Sequence, residues 1–170
     1  SVKIGPLFDF GANAWTRGPN ATPTVDGDLV FALGSQGELV CVDASKKGEV
    51  VWRKHLPREL GAEVNPVGGG PAKMSWGFAW SPLVDGKQLI CTPGGPGGLL
   101  AALDKKTGTV LWRSKDVKEP ATYSSPILAE VGGVRQVVQL TQKGVVGVAV
   151  RDGQLLWEHK RENPYPEWVC

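Results

Sequence analysis

The chain has 170 residues, 41% hydrophobic and 21% charged, with a formal net charge of +2. That balance belongs to a folded domain with a core and excludes a disordered polymer. The basic pairs Lys46-Lys47, Arg53-Lys54 and Lys105-Lys106 sit singly at or just after expected turns, so no basic stripe forms and nucleic acid is not an expected partner. No apolar run reaches the ~18 residues of a membrane-spanning helix. A chain that opens at Ser1 without methionine fits either a removed leader or a piece of a longer protein. Cys41, Cys91 and Cys170 form an odd, widely spaced set that suggests neither a disulfide framework nor a zinc site, and Cys41 and Cys91 read as core.

The 23 glycines and 13 prolines fall between short apolar runs, which predicts many turns and many short strands. In chain order, "DFGANAWTRGPN" (9–20) comes first and carries Trp15 and Arg17. Period-two alternation then predicts strands at 22–25, 28–33, 38–43 and 49–54. Next comes "LPRELGAEVNPVGGGPAKMSWGFAW" (56–80), which has no counterpart in the other units and ends on Trp76, Phe78 and Trp80. Strands follow at 81–84, 87–92, 99–104 and 109–114, then at 125–128, 134–140, 145–150 and 154–159. Asp26-Gly27, Asp85-Gly86 and Gly132-Gly133 join the first two strands of their units, where tight hairpins need positive φ.

The units are copies of one another. Trp52, Trp112 and Trp157 each close a glycine-to-tryptophan pentapeptide, "GEVVW", "GTVLW" and "GQLLW". Pro23, Pro82 and Pro126, each preceded by Thr or Ser, stand 29, 30 and 31 residues before those tryptophans. Self-similar units of about 40–50 residues with four antiparallel strands are the pattern of propeller blades. One indole per repeat suits a blade-to-blade seam. Asp43 and Asp104 precede the third turn of their units, where a carboxylate accepts backbone N–H groups. In the third unit Val150 takes the acid's place, and the turn reads as a shorter hairpin around Asp152-Gly153. The acid is therefore expected to follow turn length and to be scaffold.

The stretch "ALDKKTGTVLW" (102–112) resembles the repeat of quinoprotein, or PQQ-like, β-propellers. The match is close at Ala102, Asp104, Thr107, Gly108 and Trp112. It is partial at Asp43, Gly48 and Trp52, where Cys41 replaces the alanine, and weakest at Gly153 and Trp157. "ATPTVDGDLVFALGSQGELVC" and "WGFAWSPLVDG" are similar to secreted or periplasmic PQQ-like repeat proteins of bacteria. The resemblance implies an all-β fold, an arc of three to four four-stranded antiparallel blades belonging to a ring of roughly seven or eight. One repeat domain is expected over 1–170, with blade units near 21–56, 80–117 and 124–160.

For function, the resemblance implies three classes. The first is a non-catalytic binding or scaffold module of the bacterial envelope, periplasmic or secreted, with an unknown protein or small-ligand partner and a need for the remaining blades of its ring. The second is part of a PQQ-dependent alcohol or sugar dehydrogenase with calcium. The third is the sensor domain of a larger protein such as a receptor kinase. Neither vicinal cysteines nor a set of acids suited to calcium's six to eight oxygen ligands is visible, so no cofactor is expected. "PGGPGG" (93–98) lacks the lysine and helix of a phosphate loop and reads as a long hairpin loop. His55 and His159 read as rim residues. Long loops on rigid scaffolds build binding surfaces, which makes Trp15, Arg17, Trp76, Phe78 and Trp80 the candidate binding lip, against the plainer reading that the last three plug or cap a blade.

Overall fold

The computed structural model describes residues 1–7, 18–65 and 75–162. Twelve strands form three sheets, each four-stranded, antiparallel and in sequential order. Blade 1 holds β1 (Thr24–Asp26), β2 (Leu29–Leu33), β3 (Glu38–Asp43) and β4 (Glu49–His55). Blade 2 holds β5 (Leu83–Asp85), β6 (Gln88–Cys91), β7 (Ala101–Asp104) and β8 (Val110–Arg113). Blade 3 holds β9 (Ile127–Val131), β10 (Val134–Leu140), β11 (Gly144–Ala149) and β12 (Leu155–Lys160). Together they make an open arc.

The core lies between the blades. Successive strand side chains point to opposite faces, and blade 2 uses both. Leu89, Cys91, Ala101 and Leu103 pack with Phe31, Leu33, Leu39 and Cys41 of blade 1. Ile90, Leu100, Ala102 and Trp112 pack with Val137, Val146 and Val148 of blade 3. The alternation seen in the sequence is thus the means by which one sheet serves two seams.

Two departures from the expected strands have physical causes. Each first strand begins two residues late, because the Thr-Pro and Ser-Pro markers serve the seams instead. The Thr22 N–H donates to Ser81 Oγ at 3.0 Å, and the Ser81 N–H donates to Ser125 Oγ at 2.9 Å, which links the three markers in series. The other departure is a helix, α1 (Leu56–Leu60), capped by His55, whose Nδ1 accepts the Arg58 N–H at 3.3 Å while Glu59 accepts the His55 N–H at 2.6 Å. Gly61 closes it in the left-handed region at φ 61°. The signals Pro57, Glu59 and Gly61 were present in the sequence, and His55 is a cap instead of a plain rim residue.

Truncating Trp112, which is 8% exposed, should cost about 3–5 kcal/mol in urea unfolding. The same change at Trp157, which is 38% exposed, should cost clearly less. Equal losses, or a harmless Trp112→Ala, would contradict the seam packing.

Candidate functional site

The repeated residues come together at the seams. Trp52 lies opposite Cys41, Trp112 opposite Ala102 and Trp157 opposite Gly147, and each ladder shifts register one residue beyond that pair. The small partner leaves room for the indole: a Cβ on Gly147 would stand 2.3 Å from the Trp157 ring. From there the indole reaches the next blade. Trp52 Nε1 donates to the Lys105 carbonyl at 3.0 Å, and Trp112 Nε1 donates to the Val150 carbonyl and to Gln88 Oε1, both at 2.9 Å. The rings rest on the turn glycines. A Cβ on Gly108 would lie 2.9 Å from Trp52 and one on Gly153 2.4 Å from Trp112. These glycines also have φ 73°, so both backbone and space demand them.

The aspartates hold the turns between the third and fourth strands. Asp43 Oδ1 accepts the Ser45 hydroxyl at 2.6 Å and the Ser45 N–H at 3.0 Å. Asp104 Oδ1 accepts the N–H groups of Lys106 and Thr107 at 2.9 and 3.0 Å. Blade 3 corrects the expectation for its turn. Gly153 N–H bonds the Ala149 carbonyl as Gly108 N–H bonds that of Asp104, so the turn has the same length in both blades, and Ala149, not Val150, takes the acid's place. The acid does not follow turn length; Asp152, inside the loop, accepts the Gln154 N–H at 3.1 Å instead. Hydrogen bonds lower the pKa of all three carboxyls, chiefly from the Ser45 side chain at Asp43 and from the backbone N–H groups of Lys106 and Gln154 at Asp104 and Asp152.

The hairpin aspartates reach across as well, a role that turn chemistry alone does not signal. Asp26 pairs with Lys105, and Asp85 pairs with Arg135 through two hydrogen bonds, of 3.2 and 2.5 Å. Exposed pairs of this kind contribute at most about 1 kcal/mol.

The opposite end of the blades carries the irregular segments. The 63–65 stretch runs beside 119–121, with a parallel bridge at Val64 and Ala121. The glycine-rich loop lies against both segments: a Cβ on Gly94 would strike Ala121 N at 2.2 Å and the Glu63 carbonyl at 2.5 Å. Its glycines permit backbone contact, as a packed hairpin loop requires. Arg113 fastens the same corner by donating to the carbonyls of Leu60 at 3.0 Å and Gly98 at 2.7 Å. Buried polar groups join blades 2 and 3 here. Thr92 donates to Gln139, whose amide donates to the Ser124 carbonyl and hydroxyl, and Tyr123 donates to the Asn65 carbonyl at 3.0 Å.

Of the candidate lip, Trp15 and Arg17 lie outside the described residues. Phe78 and Trp80, 4% and 0% exposed, belong to the first seam, so they are core and form no lip. Trp76 is half-buried, with its ring 5.2 Å from that of Tyr123. Sequence reading missed Tyr123, which had no motif to mark it. Among the described residues no three His, Cys, Asp or Glu side chains converge as metal ligands. Cys41 and Cys91 are separate buried thiols, raised by burial to about 11 and about 12, the former also by Asp43.

Sheets of this form, joined by an outer-strand indole on the next blade's turn, define a PQQ-like β-propeller. A family model described as outer membrane protein assembly factor BamB matches residues 8–165, and the chain belongs to that family. Three solved structures share the fold. The europium-containing methanol dehydrogenase is 16% identical at TM-score 0.61, with 95% of this chain and 27% of that one covered. BamB from Moraxella catarrhalis is 22% identical at 0.57, with 88% and 40% covered. The quinohemoprotein alcohol dehydrogenase ADHIIG from Pseudomonas putida HK5 is 20% identical at 0.55, with 91% and 22% covered. The chain therefore spans well under half the length of each. The curated proteins contain no sequence match.

Carboxyls with lowered folded pKa contribute stability above their unfolded pKa of about 4, and that contribution is lost as pH falls through the folded value. Stability should accordingly drop on acidification below about pH 4. Asp104→Asn should flatten that acid limb in unfolding curves taken across pH, and an unchanged limb would count against the turn role. Gly153→Ala should destabilise by roughly 1–3 kcal/mol through overpacking against Trp112.

Proposed function

We propose that this chain is a non-catalytic module, a binding or scaffold part of a larger PQQ-like ring that works in the bacterial envelope, periplasmic or secreted. One observation carries the reading: the residues of the repeat motif are engaged in seams and turns. Asp43 and Asp104 hold loops, Trp52 and Trp112 join blades, and the buried thiols stand apart. Among the described residues no three His, Cys, Asp or Glu side chains gather as metal ligands. The BamB description of the family model supports the same direction, and no described helix is long and apolar enough to cross a membrane. In this reading the binding surface is the loop end, where Trp76 meets Tyr123 and where Trp15 and Arg17 remain candidates by sequence. The ring is completed by further blades, to roughly seven or eight.

The dehydrogenase reading rests on fold likeness to two alcohol-oxidising enzymes, and a fold alone does not assign an activity. The two separate on incubation with PQQ and calcium or europium. The chain should emerge from gel filtration without stoichiometric PQQ and should reduce no dye in the presence of methanol or ethanol. Stoichiometric retention with dye-linked alcohol oxidation would establish the dehydrogenase reading instead.

A further inference from the structure

We draw no further inference here: the strongest candidate, the row of exposed aliphatic side chains that Val51, Leu111 and Leu156 form at the register shifts of the three outermost strands, recurs on every blade, but nothing in the structure shows what covers it.

Discussion

An indole that leaves its own sheet to rest on the backbone of the next is the contact on which this architecture depends. A four-stranded sheet with two apolar faces cannot be stable alone, since both faces need cover. The tryptophan of the fourth strand ties the edge farthest from the first strand to the neighbour's turn, and its N–H finds a carbonyl that would otherwise lack a partner. At the first-strand end the hydroxyls of Ser81 and Ser125 do the corresponding work. Between these two lines of hydrogen bonds the aliphatic seam is held in a single register.

That contact explains the residue choices around it. The residue opposite the tryptophan is Cys41, Ala102 or Gly147, always small, because the ring lies across it. The register shift that follows keeps the indole on one face while the strand goes on to its turn. The turn must offer glycine to the preceding ring and must keep its shape, which an aspartate ensures in blades 1 and 2. Blade 3 keeps the glycine and the turn length but drops the aspartate at that position, so the steric requirement is stricter than the polar one.

Such requirements are periodic, and periodicity is what makes a fold legible. All twelve strands and the three-sheet division could be read from alternation, turn pairs and tryptophan spacing. What escaped was non-local: that Asp26 and Asp85 bridge blades, and that the Ser-Pro markers serve seams instead of strands. No local pattern reports which distant backbone a side chain meets. The helix at Leu56–Leu60 was legible in its cap residues, yet it is short enough to vanish beside the strand signal. The candidate site was the least legible part, for its lip residues divide between a buried seam, a half-buried ring beside Tyr123, and positions outside the described residues.

The same economy locates function outside the repeat. A residue that recurs in each blade is constrained by the seam it serves, and a seam has no room for a ligand: Phe31, Leu39, Cys91 and Leu103 are fully buried in the first. Chemistry specific to this protein must therefore use what breaks the repetition. In the described chain that is chiefly the segment after β4, which is pinned by Arg113 and the glycine-rich loop and paired to the connector before β9. Its described residues up to Asn65 are held to two blades at once, and such fastening lowers the ordering cost that binding would otherwise incur. On the proposed reading, this fastening makes the loop end, and not the strands, the place where a partner would be recognised.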